Sequence, residues 1–110
     1  MSEEIERLQR EYLSEIRRRI GEVRANAQRL RLDQQFKNAF PSLLFAAHQL
    51  KGSGGALGFP RISNVGQQMT ETLTLFLDET GASRPTPAQL SDSLLELSRQ
   101  LEDELARCEA

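Results

Sequence analysis

The sequence has few of the residues around which functional sites are usually built. Its 110 residues include no tryptophan, one tyrosine, one cysteine and one histidine. The single cysteine, Cys108, excludes an internal disulfide, which is typical of a protein from a reducing compartment. One histidine and one distant cysteine are too few for a zinc site. We therefore predict that the chain binds no metal and no cofactor of its own.

An excess of basic over acidic residues and long apolar runs are also missing. The formal net charge is -2, so no overall positive field attracts nucleic acid. No apolar run approaches the roughly 20 residues of a membrane span, and the charged N-terminal region does not resemble a signal peptide. Arginines gather in the first third, where we interpret them as solvated helix faces: Arg17, Arg18, Arg19, Arg24, Arg29 and Arg31. We expect a cytoplasmic protein without nucleic-acid or membrane partners.

Apolar residues recur at helical spacing in four segments, and no alternating strand pattern competes with them. The first segment covers residues 3 to 31. The second starts between Asn38 and Ser42, with Asn38 as N-cap and Pro41 in the first turn. The apolar stripe of the first segment comprises Ile5, Leu8, Tyr12, Ile16, Ile20, Val23, Ala27 and Leu30. The later stripes comprise Ile62, Val65, Met69, Leu73 and Phe76 in the third, and Leu90, Leu94, Leu97, Leu101 and Leu105 in the fourth.

Turn residues separate the later segments. Gly58 followed by Pro60 predicts a helix stop and a restart. The run from Thr80 to Pro85 predicts a loop. Thr86 and Pro87 then open the fourth helix as N-cap and first residue.

Four amphipathic helices with short connections bury their apolar stripes best in an up-down bundle. We therefore predict an all-α fold, an up-down four-helix bundle. The chain shows no linker, so we expect a single domain over residues 1–110. The initial methionine and the complete bundle favour a free-standing domain, which we expect to be a monomer.

The only histidine lies in the glycine-rich stretch AHQLKGSGGALG, residues 47–58. An interior helix glycine costs roughly 1 kcal/mol relative to alanine, so these glycines need a reason. At about 100° per residue, His48 projects opposite a buried face made of Leu43, Ala46, Leu50, Ser53 and Leu57. Gly54 falls at the edge of that face, where it lets a neighbouring helix approach closely. We predict that His48 lies on the solvent-facing side of the second helix.

The neighbours of His48 on this outer face are Leu44, Phe45, Lys51, Gly52 and Gly55. Gly52 and Gly55 leave the helix surface beside the imidazole without side chains. This bare surface gives no folding advantage, but it would give a partner protein access to the imidazole. Leu44 and Phe45, both expected to be exposed, supply apolar contact for that partner. Lys51 attracts an incoming anionic group.

Together, these residues resemble the motif of the histidine-containing phosphotransfer (HPt) domain. That motif has a histidine, then leucine, lysine, glycine and serine at the second to fifth positions after it, and a glycine at the tenth. The residues that match in register are His48, Leu50, Lys51, Gly52, Ser53 and Gly58. Downstream, Ile62 and Gly66 take the places of the family's leucine and small residue. Met69 and Thr70 stand where the family often has a leucine–glutamate pair, a mild departure that leaves the chemistry untouched.

The resemblance implies a bundle that carries phosphoryl groups in a multistep phosphorelay and is not an enzyme in its own right. His48 would accept the phosphoryl group, Lys51 would steady its oxygens, and Gly52 would leave room for the partner. The implied partners are response-regulator receiver domains and a sensor histidine kinase, often a hybrid one. The partner would supply the aspartate and Mg²⁺, since the sequence has no acidic cluster near His48.

The glycine-rich stretch also has to be compared with nucleotide-binding motifs and with ordinary structural roles. Residues 52–57 lack the last glycine of the dinucleotide-binding pattern and follow no strand, and no ATP-binding region indicates an autonomous kinase. A lone histidine is most often an ordinary surface or core residue. The main alternative function is a helical adaptor or dimerisation module that uses the arginine-rich first helix. Phosphorylation of His48 separates this alternative from phosphotransfer.

Overall fold

The computed structural model describes residues 2–78 and 84–109 and folds them into four helices. These are α1 (Ser2–Arg29), α2 (Asp33–Ala56), α3 (Pro60–Phe76) and α4 (Pro87–Glu109). Each helix packs against the one before and the one after it, and α4 closes the ring on α1. No strand occurs in the described ranges. The predicted all-α, up-down four-helix bundle is confirmed.

The core runs along the bundle axis and is built mainly from the predicted stripes. Its largest fully buried apolar side chains are Ile16, Val23, Leu30, Leu43, Leu50, Ile62, Met69, Leu73, Leu90, Leu94 and Leu101. Burial of this apolar surface is the main favourable term in folding. None of the helices within the described residues has an apolar stretch long enough to cross a membrane.

The N-terminal end of α1 projects beyond the bundle. The Gln9 side chain donates a hydrogen bond to the Leu57 carbonyl at 2.9 Å, so α2 ends level with Gln9. Arg17 pairs with the C-terminal residue of α4. Neither neighbouring helix therefore covers the first two turns of α1, and Ile5 and Leu8 are 51% and 42% exposed. Their predicted place in the buried stripe is wrong because both neighbours are too short to reach them.

Helix α2 begins earlier than predicted. It starts at Asp33, whose carboxylate lies favourably in the first turn. Asn38 is therefore not an N-cap, and Pro41 lies inside the helix rather than in its first turn. Pro41 has no N–H group to donate to the carbonyl one helical turn before it. Because Pro41 is on the exposed side of the helix, water can hydrate that carbonyl instead.

An aromatic cluster explains the longer helix. The extension adds Phe36, and its ring centroid lies 4.9 Å from that of Phe76 on α3 and 5.6 Å from that of Phe40. The Phe40 and Phe76 centroids are 5.7 Å apart. Aromatic pairs at such distances are worth about 0.5–1.5 kcal/mol each beyond their area burial. These contacts, together with the burial of Phe36, offset the cost of about 3 kcal/mol for a proline in the helix interior.

The predicted end of α2 at Gly58 and the predicted start of α4 at Thr86 are confirmed. Gly58 follows α2 with a φ of 88°, a left-handed conformation that favours glycine, and α3 begins at Pro60. The N–H of Gln89 donates to Thr86 Oγ1 at 3.1 Å, and the N–H of Thr86 donates to Gln89 Oε1 at 3.0 Å. This reciprocal pair caps α4, with Pro87 as its first residue. Of the predicted loop before it, residues 80–83 lie outside the described residues.

Helices α2 and α3 approach each other closely at two glycines. A Cβ on Gly54 would lie 2.8 Å from the Ser63 backbone nitrogen, and one on Gly66 would lie 2.5 Å from the Lys51 backbone nitrogen. Both distances are too short for a real Cβ contact, so both positions need glycine. The predicted role of Gly54 is confirmed, whereas the matching role of Gly66 comes only from the structure.

Substituting alanine at Gly66 tests this close approach. The added methyl group would meet backbone atoms of α2, which cannot rotate away, so we expect Gly66→Ala to lower the free energy of unfolding by about 2 kcal/mol. The matched control is Gly21→Ala in α1, where a Cβ meets nothing within 4 Å. That variant should be more stable by up to about 1 kcal/mol because alanine favours the helix. Urea unfolding followed by circular dichroism measures both, and equal stabilities would contradict the interpretation.

Candidate functional site

His48 lies on the outer face of α2 and is exposed to solvent, as predicted. Lys51 and Gly52, one turn further along, are exposed as well, and a Cβ on Gly52 would meet nothing within 4 Å. Phe45, one turn before the histidine, is 60% exposed. The imidazole therefore stands on an open surface with a cation and an aromatic ring within one helical turn.

Leu44 is less open than the helical projection suggests, and Gly55 is exposed beside α3. Leu44 is half-buried and packs against the core, so the expectation that it is exposed is wrong. Gly55 is exposed, but a Cβ there would lie 3.6 Å from Ser63 Oγ, in ordinary contact with α3. Gly55 therefore lies on the flank of α2 that turns towards α3. A projection of α2 alone does not show where its neighbours lie, which is why it overestimated the exposure of Leu44; the predicted exposure of Gly55 is confirmed.

Helix α3 holds Lys51 through its backbone. The Ser63 hydroxyl donates to the Lys51 carbonyl at 2.6 Å, and Gly66 lies directly against the Lys51 nitrogen. These contacts fix the α2 backbone one turn from His48. They leave the Lys51 side chain exposed beside the imidazole.

On the opposite flank of His48, α1 and α2 enclose a groove of ≈ 350 Å³. Helix α2 lines this α1–α2 groove with His48, Gln49, Leu50, Gly52 and Ser53, and α1 lines it with Tyr12, Glu15, Ile16 and Arg19. The histidine therefore has a packed flank towards α3 and a concave flank towards α1.

One hydrogen bond joins α1 to α2 at one end of this groove, and a second bond, within α2, fixes its direction. The Ser53 hydroxyl donates to the Gln49 carbonyl at 2.6 Å. Because that bond uses the only hydroxyl proton of Ser53, the Tyr12 hydroxyl, 2.8 Å from Ser53 Oγ, is the donor between the two side chains. Burial raises the pKa of Tyr12, and the Ser53 hydrogen bond and the charge of Arg19 lower it by less.

The sequence interpretation missed the α1 wall of the groove. One signal was available, since the chain's only tyrosine falls in the buried stripe of α1 and a buried hydroxyl group needs a partner. Arg19 gives no comparable signal because it lies in a run of three arginines. Its place beside His48 follows only from how α1 packs on α2.

Metal-binding side chains do not cluster in the part of the chain that the structure describes. No group of three or more histidine, cysteine, aspartate or glutamate residues converges there. That the chain has no cofactor of its own, and that a partner holds Mg²⁺, stay predictions.

The fold and the site together define a helical-bundle module that presents one accessible histidine from the middle of a helix. A family model described as Hpt domain matches residues 4–110, so the chain belongs to the Hpt domain family. Membership implies a phosphocarrier role in two-component signalling, with receiver domains and histidine kinases as the class of partner. No curated protein and no solved structure matched the chain.

The raised pKa of Tyr12 predicts how stability depends on pH. In the unfolded chain a tyrosine ionises near pH 10, whereas folded Tyr12 keeps its proton to higher pH. The contribution of Tyr12 is therefore complete below about pH 10 and is lost as the pH rises through its folded pKa. We expect the free energy of unfolding to fall above about pH 10 more steeply in the parent than in Tyr12→Phe.

Urea unfolding at a series of pH values measures this dependence. Near-ultraviolet absorbance reports the ionisation directly, because the chain has no other tyrosine and no tryptophan. Identical pH slopes in the parent and in Tyr12→Phe would contradict the prediction.

Proposed function

We propose that this protein carries a phosphoryl group on His48, accepting it from an aspartate of one receiver domain and passing it to another. The observation that carries the proposal is the exposed His48 beside the bare backbone of Gly52, on a helix whose inner face is anchored in the core. A partner's active site can reach the imidazole there without disturbing the fold.

The transfer step needs little from the carrier beyond an accessible nucleophile. A lone pair on a ring nitrogen of neutral His48 attacks the phosphorus of an aspartyl phosphate. The nitrogen–phosphorus bond forms as the phosphorus–oxygen bond breaks, and the bonding electrons leave with the aspartate carboxylate. The reverse step returns the phosphoryl group to an aspartate. The reacting carboxylate and Mg²⁺ come from the receiver in this scheme.

The residues around His48 have separate roles in this proposal. Lys51 neutralises charge on the phosphoryl oxygens from the flank beside α3, a contact that is stronger than one between neutral groups. Gly52 leaves the path to the imidazole open. Phe45 supplies exposed apolar surface to the docked partner, and Gly55 borders that surface near α3. Leu44 contributes only its exposed edge.

Replacing His48 tests the proposal directly. We expect the parent to take up phosphate from a phosphorylated receiver or a cognate kinase, in a bond that is labile to acid and stable to alkali. His48→Gln should take up none, with an unchanged melting temperature because the side chain is exposed. Acid-labile phosphate on His48→Gln would show that the acceptor is another residue. A parent that takes up no phosphate would favour the helical adaptor function instead.

A bulky residue at Gly52 separates folding from transfer. Gly52→Gln should be as stable as the parent or more stable, since the site is open and glutamine favours the helix by several tenths of a kcal/mol. The side chain would stand where a receiver must approach, and about 1 Å of misplacement can cost a hundredfold in rate. We therefore expect transfer from a phospho-receiver to be sharply reduced.

A small donor provides the control for this variant. Phosphoramidate needs no docked protein, so Gly52→Gln should slow uptake from it much less than uptake from a receiver. A thermal melt and the two uptake rates on one purified variant decide the matter. An unfolded variant would assign Gly52 to packing, and normal transfer from the receiver would show that the bare face is not the docking surface.

A further inference from the structure

We propose that Arg19 is a second phosphoryl-binding cation at this site, which exchanges its partner Glu15 for the phosphoryl group when His48 is phosphorylated. The inference rests on the proposed function and assigns a role to two α1 residues outside the histidine motif. It follows from the position, burial and ion pairing of Arg19.

Arg19 lies on α1, which forms the other wall of the groove that His48 lines. Helices α1 and α2 run antiparallel, with Tyr12 hydrogen-bonded to Ser53. Arg19 lies about two turns beyond Tyr12 on α1, and His48 lies between one and two turns before Ser53 on α2. Both positions are therefore on the same side of this pair, and both side chains line the α1–α2 groove. The long arginine side chain thus starts from the wall opposite the imidazole.

The Arg19 side chain lies along the contact between α1 and α2, where it lines this groove and does not extend into water. It is 16% exposed, whereas the side chains of Arg17 and Arg18 are 60% and 58% exposed. Its charge also reaches Tyr12, whose pKa it lowers against the larger effect of burial. The guanidinium is therefore already held close to the site, so little side-chain freedom is lost when it binds a new partner.

The present partner of Arg19 is shared. Glu15 Oε1 accepts a hydrogen bond from the Arg19 guanidinium at 3.2 Å and also pairs with Arg18. Arg18 keeps the Glu15 carboxylate neutralised if Arg19 leaves it. A phosphoryl group on His48 carries more negative charge than a carboxylate and offers a guanidinium two oxygens at once, so it competes well for Arg19.

Arg19 and Lys51 would then act from opposite flanks of His48. Lys51 lies on the flank beside α3, and Arg19 lies in the groove beside α1. A phosphoryl group has oxygens directed to both sides, and neutralising them from two directions leaves the face towards the partner open.

Phosphoramidate provides a test that needs no partner protein. We measure the rate of phosphate uptake by His48 in the parent, Arg19→Met and Glu15→Gln, with a thermal melt of each. Arg19→Met keeps the apolar stem but loses the charge, and it should take up phosphate about tenfold more slowly. Glu15→Gln removes the competing carboxylate and should take up phosphate faster. Arg19→Lys should restore part of the lost rate.

Matched controls remove the same charges from α1 outside the groove. Arg17→Met removes a cation that pairs with Glu109, and Glu4→Gln removes an anion that pairs with Arg7. Both should keep the parental rate within about twofold, since exposed charges at a distance are screened by salt.

Opposite effects of Arg19→Met and Glu15→Gln would support the proposal. A purely structural ion pair predicts the same direction for both variants, because each breaks the same contact, and that result would overturn it. A parental rate in Arg19→Met would overturn it as well while leaving His48 as the acceptor. A parent that takes up no phosphate from either donor would overturn the proposed function and this inference with it.

Discussion

The direct contact between the backbones of α2 and α3 is the constraint on which the rest of this molecule depends. Gly52, Gly54 and Gly55 each weaken the helix by roughly 1 kcal/mol relative to alanine, so α2 has poor intrinsic stability near the histidine. Helix α3 compensates by lying against α2 at Gly54 and Gly66 and by binding the Lys51 carbonyl through Ser63. Because the inner face is held in this way, the outer face can remain bare, and His48 is open to solvent.

The two neighbours of α2 give the histidine two unlike flanks. Helix α3 lies directly against the α2 backbone at Gly54 and Gly66 and binds the Lys51 carbonyl, so this flank is a rigid support. Helix α1 packs at a greater distance and leaves a groove, closed at one end by Tyr12 and Ser53. The support fixes the α2 backbone one turn from His48, while the groove that His48 lines also contains charged side chains.

Much of the fold was predictable because local physics dominates it. Helical spacing located all four helices, and the terminal signals at Gly58 and Thr86 act within a few residues of themselves. The errors all have tertiary causes. The start of α2 was misplaced because Phe36 packs on Phe76, which is distant in sequence. Ile5 and Leu8 were assigned to the core because spacing along one helix says nothing about how far its neighbours extend.

The sequence by itself determined the helical bundle, the exposed position of His48 and the neighbours of the histidine on its own helix. These follow from a periodicity of 3.6 residues and from a motif whose positions next to the histidine lie on the same helix. The tertiary structure decided what lies across from that helix: the close approach of Gly66, the half-burial of Leu44, and the groove that brings Arg19 and Glu15 beside the imidazole. The physical reason is that rotation and register between packed helices depend on the summed fit of many side chains, which no single segment of the sequence encodes.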